Sequence, residues 1–300
     1  MQQRMPGPVA VIGATGNQGG QVAAALLRAG MPVRAVTRFP DSAASAALRR
    51  AGAEVAEADM AHVTALEQAF AGAAGVFSVQ NFWELHRDGE VELGLNVLEA
   101  ARRSGAPHLV YSSGIGCTEA TPVRAMDGKA QLEAALKTAG LPYTILRPAL
   151  FMDDVLGASL PFRPWISRRM AHHRKVVGVL FLAVLRSAFH RRRPIPLVAM
   201  EDVGRTALWA FSHPEASAGQ AWDLVGSRLT ASEVLRDWQA ATGRRPWPLP
   251  IGPLLRAVHP EMAELVAWLA RHDAPAAAAP PIPLATFSEW LARLSPAPSG

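Results

Sequence analysis

The stretch VAVIGATGNQGGQVAAALLRAG, residues 9–30, decides how this chain folds. It starts as a short apolar run, passes through four closely spaced glycines, and continues with alanines and leucines at helical spacing. The pattern predicts a strand, a tight turn and a helix. Gly13, Gly16 and Gly19 are spaced G-x-x-G-x-x-G. In that spacing one glycine makes the turn, one lets the backbone approach a pyrophosphate, and one lets the helix lie close to the sheet.

The same alternation of strand and helix continues to about residue 150. Six β-branched runs alternate with helical stretches, and this predicts an α/β fold with a parallel sheet covered on both faces. We therefore predict a doubly wound Rossmann domain over residues 6–150, with residues 196–226 returning to its sheet. Residues 151–300 are predicted to form a smaller, mostly helical cap that contributes the substrate side. The six runs are VAVIG, VRAVT, AEVAEAD, GVFSV, HLVYSS and YTILRP.

Composition places the chain among globular proteins, because half of its 300 residues are hydrophobic. The first residues contain no secretory signal pattern, and the single cysteine excludes an internal disulfide. We therefore expect a cytoplasmic protein. No metal site is predicted, since the adjacent His172 and His173 would point in different directions on a helix. An oligomer is compatible with this composition.

Positive charge is concentrated in residues 163–193, which contain nine of the 30 Lys/Arg residues and no Asp or Glu. A nucleic-acid-binding domain spreads its positive charge over a face, so a nucleic-acid partner is disfavoured. The apolar centre VVGVLFLAVL has ten residues, fewer than the roughly 20 that span a membrane. This segment is either a helix docked on the cap, or a helix that contacts a membrane surface or covers an apolar substrate.

The end of the second predicted strand bears on the choice of dinucleotide. An acidic residue there would bind the ribose 2′-hydroxyl and repel a 2′-phosphate, but Thr37 and Arg38 stand in its place. Arginine suits phosphate, so NADP(H) is favoured over NAD(H), unless Arg38 is an ordinary solvated residue. Asp59, after the third strand, either meets the adenine amino group or caps the following helix.

Six segments of the chain carry a family resemblance: GATGNQGG (13–20), VTR (36–38), GVFSVQNFWE (75–84), DGKAQLEAAL (127–136), LPYTILRPALFMDD (141–154) and MEDVGRTALWAF (200–211). Together they resemble the NmrA-like family, an atypical branch of the short-chain dehydrogenase/reductases. The resemblance implies NADP(H) binding and one of two roles: an NADPH-dependent reductase of quinones or enones, or a regulator or redox sensor that binds the dinucleotide and acts on a partner protein.

The same resemblance implies contacts for each part of the cofactor. Arg38 would bind the 2′-phosphate, Asp59 would lie by the adenine, and Lys129 would reach the nicotinamide ribose. The segment from Pro148 to Phe151 would close over the nicotinamide. The pyrophosphate would be surrounded by Gly13, Thr15, Gly16, Asn17, Gln18 and Gly19, and the strand end beneath the dinucleotide would be lined by Phe77, Ser78 and Val79.

The tyrosine of the superfamily's Tyr-x-x-x-Lys pair is missing, because Ala125 stands four residues before Lys129. Tyr111 and Tyr143 lie in strand patterns, where a packed aromatic side chain is expected. Two chemistries remain open. Either hydride passes to a quinone or enone and Lys129 or water supplies the proton, or there is no turnover and Lys129 only holds the cofactor.

A small-molecule substrate would need an apolar pocket beside the nicotinamide, for which Phe82, Trp83, Phe151 and Met152 are candidates. Ser113, after the fifth strand, either orients this substrate or caps the strand end. Cys117 follows in a loop and is either a redox-reactive thiol or an inert one.

Overall fold

The computed structural model describes residues 7–80, 82–117, 123–156, 193–243, 260–269, 271 and 278–294. The strands are β1 (Val9–Ile12), β2 (Val33–Thr37), β3 (Glu54–Glu57), β4 (Gly75–Ser78), β5 (Leu109–Ser112), β6 (Tyr143–Pro148), β7 (Leu150–Phe151), β8 (Ile195–Val198), β9 (Gln220–Leu224) and β10 (Ser227–Leu229). The helices are α1 (Asn17–Arg28), α2 (Ala43–Arg50), α3 (Val63–Phe70), α4 (Phe82–Arg103), α5 (Arg124–Thr138), α6 (Met200–Ser212), α7 (Pro214–Ser217), α8 (Ala231–Thr242), α9 (Pro260–Leu269) and α10 (Phe287–Leu294). A 3₁₀ turn spans Met152–Leu156.

Seven strands form one parallel sheet in the order β3-β2-β1-β4-β5-β6-β9. The predicted α/β fold is confirmed, and all six predicted strands lie in this sheet. The direction of winding reverses between β1 and β4. In open sheets of this kind, the crevice beyond the carboxyl ends of the strands at such a reversal is where ligands bind.

Both faces of the sheet are covered by helices, which explains why its inner strands read as continuous apolar runs. Strand β1 is buried at all four positions. Val9 and Val11 face a core that includes Val22 of α1 and Ala207 of α6. Ala10 and Ile12 face a second core, which is built from α3, α4 and α5. Strand β1 lies at the centre of the fold because its successive side chains are buried in two different cores.

The segment predicted to return to the large sheet does so only in part. Strand β9 pairs in parallel with β6, but β8 joins a separate three-stranded sheet, where it pairs with β7 in parallel and with β10 in antiparallel orientation. The apolar run of β8 is buried at every position. An apolar run by itself does not say which sheet will bury it, so sequence reasoning assigned β8 wrongly.

Helix α8 begins with a complete N-terminal cap. Thr230 is its N-cap and forms a capping box with Glu233, whose carboxylate accepts the Thr230 backbone N–H at 2.7 Å. Residues 163–192 of the basic segment, for which contact with a membrane or substrate is predicted, lie outside the described residues. Within the described parts of the chain, every helix is too short or too polar to span a bilayer.

Candidate functional site

The three glycines of the opening stretch each have a distinct geometry. Gly13 adopts φ +68°, a left-handed conformation that turns the chain after β1. Gly16 is the extended N-cap of α1, and its N–H donates to the Gly13 carbonyl oxygen at 2.8 Å. A Cβ at Gly19 would lie 2.3 Å from that same oxygen, so only glycine lets α1 lie this close to β1. The predicted turn and the predicted close helix packing are therefore both present.

The N terminus of α1 has the features of an anion site. Among the described residues no side chain caps it, and its first turn has no acidic residue. Thr15, Gly16 and Asn17 are exposed. The first N–H groups of a helix have no partner within the helix, and the helix dipole favours negative charge beside them. The predicted pyrophosphate contacts thus lie where the backbone can meet an anion.

Gln18 is held differently from its neighbours in the loop. Its side-chain oxygen accepts a hydrogen bond of 2.8 Å from the Ser112 hydroxyl at the end of β5. This bond connects the first turn of α1 to β5, which lies two positions from β1 in the sheet. Gln18 therefore fixes the start of α1 against β5, a role that sequence reasoning missed.

The ends of β2 and β3 present the residues predicted for the adenosine side. Arg38 is exposed, and its guanidinium carbon lies 5.3 Å from the centre of the Phe39 ring. The Asp59 carboxylate accepts the Ala61 backbone N–H at 2.9 Å. Asp59 thus closes the turn before α3, while His62 is the N-cap of that helix. The alternative in which Asp59 caps α3 is therefore wrong, because Asp59 closes the preceding turn and His62 is the N-cap.

The end of β4 directs its three predicted residues to different sides. Phe77 is fully buried in the core beneath the strand end. The Ser78 hydroxyl faces the α4 side, where it accepts a 2.8 Å hydrogen bond from Gln80 Nε2. Val79 is half-buried, and its Cγ1 would be 3.1 Å from a Cβ at Gly13. Val79 is therefore the member of this set that borders the glycine turn.

Lys129 lies beyond the end of β5 and forms a buried ion pair. Its Nζ donates to Glu90 Oε1 at 2.7 Å, with the lysine side chain 15% exposed and the Glu90 side chain fully buried. The stem of Lys129 passes over Gly114, where a Cβ would lie 3.3 Å from Lys129 Cδ. The lysine side chain is therefore held beside the segment that follows β5 and is mostly buried.

The described part of the chain provides no tyrosine in place of the missing acid. Tyr111 is packed in the core between the sheet and helices α4 and α5, as its strand pattern predicts. Burial raises the pKa of Tyr111 well above its ordinary value, and the nearby charge of Glu90 raises it further. A phenol of this kind does not donate a proton near neutral pH. Tyr111 therefore does not replace the missing acid, and Lys129 stays a candidate proton donor.

Ser113 and Cys117 belong to a buried cluster around Glu133. The Ser113 hydroxyl and the Cys117 thiol donate to Glu133 Oε1 at 2.7 and 2.8 Å, and Arg147 binds both carboxylate oxygens. This placement differs from the substrate-orienting role predicted for Ser113, because its hydroxyl is already bonded within the protein. Burial and the charge of Glu133 raise the pKa of Cys117 to about 12. The interpretation of Cys117 as a redox-reactive thiol is therefore wrong.

The segment after β6 supplies less of a pocket than predicted. Pro148 is buried within β6, and Phe151 is half-buried in β7. Met152 is fully buried in the core, so its predicted place in a substrate pocket is corrected: the side chain has no exposed surface. Phe82 and Trp83 lie in the first turn of α4, and their side chains are outside the described residues.

The predicted residues form a row along the carboxyl edge of the sheet. In strand order from β3 to β4, the row contains Asp59, Arg38, the glycine turn and Val79. The unpredicted Ser112 follows at the end of β5, with Lys129 beyond it. Five neighbouring strands span about 19 Å at the usual spacing. The edge therefore carries the exposed Arg38 on one side, the glycine turn and the N terminus of α1 at the centre, and Lys129 on the other side.

Glu90 is the site residue that sequence reasoning missed. A signal for it exists: positions 90, 94, 97 and 101 lie on one face of α4, and all four are buried. An acidic residue on an apolar helical stripe needs a partner of opposite charge. Among the described residues, no group of three His, Cys, Asp or Glu side chains has a geometry that could hold a metal ion.

Comparison with known proteins gives the family. The model of the NmrA-like family matches residues 5–246. An NmrA-like family domain-containing oxidoreductase, FrzB of Cladobotryum sp., is 31% identical over 263 residues, which cover 79% of this chain and 74% of that protein. Among solved structures, the Escherichia coli NADPH-dependent quinone oxidoreductase QOR2 in complex with NADPH has a TM-score of 0.70 at 21% identity, covering 95% and 99% of the two chains. The negative transcriptional regulator NmrA in complex with NADP has a TM-score of 0.67 at 17% identity, covering 96% and 91%. The chain therefore belongs to the NmrA-like family.

Proposed function

We propose that this protein is an NADP(H)-dependent oxidoreductase that reduces a small quinone or conjugated enone. The observation that carries the proposal is the glycine turn at the winding reversal, with the Lys129–Glu90 pair on the same edge of the sheet. The curated relative FrzB is described as an oxidoreductase. The solved structure of QOR2, a quinone oxidoreductase, has the same fold.

The residues of the edge fit a nicotinamide dinucleotide with a 2′-phosphate. The uncapped first turn of α1 would hold the pyrophosphate, because its own sequence places no acidic side chain against an anion there. Arg38 would bind the 2′-phosphate, since its exposed guanidinium follows β2 and can form two parallel hydrogen bonds to phosphate oxygens. NADP(H) is therefore the proposed cofactor, in preference to NAD(H).

A bound reduced nicotinamide supplies a hydride, which carries two electrons to the acceptor. Lys129 would give one proton to the acceptor oxygen that becomes negative, so that a quinone leaves as the hydroquinone. The oxygen of a reduced quinone or enone needs a weaker acid than a simple alkoxide does. An ammonium group thus suffices here, and the missing tyrosine is no obstacle.

A second function rests on the same edge. A dinucleotide-binding regulator would use Lys129 only to hold the ribose, and a partner protein would recognise the cofactor-bound shape. The missing tyrosine favours this alternative, and the structure of NmrA, a transcriptional regulator, has the same fold. The two functions make opposite predictions for turnover.

The deciding experiment is NADPH oxidation by the purified protein with a panel of quinones and enones. We expect turnover with at least one acceptor, and Lys129→Met should turn over at least about 100-fold more slowly, the order expected when a general acid is removed. NADPH affinity is measured in both proteins, so that lost binding is distinguished from lost chemistry. A protein that binds NADPH and reduces no acceptor would support the regulator instead.

The cofactor preference has its own test. Arg38→Ala should weaken NADPH binding by about 1–3 kcal/mol, a factor of roughly 5 to 150, and leave NADH binding nearly unchanged. Arg50→Ala, which removes another exposed arginine from the end of α2, is the matched control. Equal losses for NADPH and NADH in Arg38→Ala would refute the 2′-phosphate assignment.

A further inference from the structure

Helices α4 and α5 cross closely beside the ion pair of Lys129. A Cβ at Gly94 would lie 2.5 Å from Leu132 Cδ2, so a larger residue at position 94 would displace the Leu132 side chain. Gly94 lies one turn after Glu90 on α4, and Leu132 lies one turn after Lys129 on α5. The close crossing therefore brings the Glu90 carboxylate within hydrogen-bond distance of the lysine.

Stability alone does not account for the charge of Glu90. Its carboxylate is fully buried, and its Oε2 has no hydrogen-bond partner among the described residues. Replacing a buried ion pair with apolar side chains often leaves stability unchanged or improves it. An apolar residue at position 90 would continue the buried stripe of α4 at lower cost. The carboxylate is therefore better explained by what it does to Lys129.

On the described part of this edge, few other side chains could accept a hydrogen bond from Lys129. The Ser113 hydroxyl is committed to Glu133, and the Ser112 hydroxyl to Gln18. The long stem of lysine carries several rotatable bonds, so an unpaired ammonium would occupy many rotamers. A fixed, buried anion restricts the ammonium to one place.

We propose that Glu90 is the positioning residue for Lys129. It holds the ammonium beside the end of β5, in the place where Lys129 contacts the nicotinamide ribose and the reacting oxygen, and it does not itself touch the substrate. This inference rests on the proposed function for the role of Lys129. The placement of Lys129 by Glu90 is testable without turnover.

The first test measures the reactivity of the lysine itself. The chain has three lysines, at positions 129, 137 and 175, so a water-soluble amine-acylating reagent can be followed at each one by peptide mass spectrometry. In the wild type, Lys129 should react more slowly than Lys137, whose side chain is 46% exposed. In Glu90→Gln, the rate at Lys129 should rise at least 5-fold with Lys137 unchanged, because the ion pair no longer has to break before the amine attacks. An unchanged rate at Lys129 would overturn the proposal.

The second test measures catalysis. Glu90→Gln should lower kcat at least 10-fold and change the KM for NADPH less than 3-fold, and Glu90→Asp should recover part of the loss because it restores the charge. Glu92→Gln, an exposed position on the same helix, is the matched control and should behave as wild type. Wild-type kcat in Glu90→Gln would refute the positioning role in an active enzyme.

A wild type that reduces no acceptor would count against the proposed function. The positioning role of Glu90 would then be tested by how well bound NADPH protects Lys129 from acylation. In that case NADPH should slow the acylation of Lys129 in the wild type and protect it less in Glu90→Gln. Equal protection in both proteins would overturn the role of Glu90. Circular dichroism of each variant verifies that the protein is folded.

Discussion

Replacing Gly19 with alanine should destabilise the protein by about 1–3 kcal/mol, the usual cost of overpacking a fixed contact. The added Cβ would stand 2.3 Å from the Gly13 carbonyl oxygen and 2.8 Å from the Ile12 oxygen. Since carbon and oxygen pack no closer than about 3.3 Å, α1 would have to retreat by about 1 Å. The Gly13 carbonyl is held by the Gly16 N–H, and Gly204 of α6 packs against α1 from another side, where a Cβ would lie 2.5 Å from the Gln21 oxygen.

Urea unfolding of the wild type, Gly19→Ala and Gly20→Ala measures this cost. Gly20 is the next helical residue, and a Cβ there would lie 3.3 Å from the Ala14 oxygen, a contact that a small shift relieves. Gly20→Ala should stay within about 1 kcal/mol of wild type, because alanine's helix propensity offsets the contact. Gly19→Ala should also bind NADPH more weakly, as the loop moves with the helix. Equal unfolding free energies for the two variants would refute the reasoning.

Three further predictions concern buried titratable groups. Burial lowers the pKa of His108 to about 4, so the folded protein binds fewer protons than the unfolded chain between pH 4 and 6.5. The free energy of unfolding should therefore fall by up to about 3 kcal/mol as pH drops through that window. A His108→Gln variant with the same pH dependence as wild type would contradict this. Cys117, whose pKa is raised to about 12, should stay unmodified by iodoacetamide at pH 8 in the native protein and react after denaturation, and rapid native labelling would contradict its placement. Glu133→Gln should cost about 3–5 kcal/mol in urea unfolding, because the buried charge of Arg147 loses its paired anion. Lys137→Met, at the exposed end of the same cluster, should cost under about 1 kcal/mol, and similar losses in the two variants would show that Glu133 is not the centre of the cluster.

The same carboxylate adds a pH dependence at lower pH. Burial alone would raise the pKa of Glu133, but hydrogen bonds from Arg147, Cys117 and Ser113 outweigh burial and lower it. The folded pKa is thus below that of an unfolded glutamate, near 4.3. The stabilisation is complete above that value and is lost as pH falls toward the folded pKa. This loss begins at the lower end of the His108 window and continues below it, so most of the His108 contribution is measured above pH 4.3.

The parts of the fold that follow from local pattern were predicted from the sequence. The six strands of the Rossmann unit and the helices between them depend on apolar spacing along the chain, and the turn at Gly13 and the close packing at Gly19 depend on a spacing of a few residues. These features are decided by neighbours in sequence. The placement of the candidate residues along one edge also follows from the pattern, because the carboxyl ends of parallel strands meet there.

The amino-acid sequence by itself thus determined the α/β order, the glycine turn and the edge of the sheet on which the candidate residues lie. Tertiary structure alone decided the pairings of Lys129 with Glu90, of Gln18 with Ser112, and of Cys117 with Glu133, as well as the burial of Met152. Each of these pairings joins elements that are brought together only by the order of the strands and the crossing of the helices. Local periodicity reports which face of an element is buried, but the partner a buried polar group meets depends on which elements become neighbours in space.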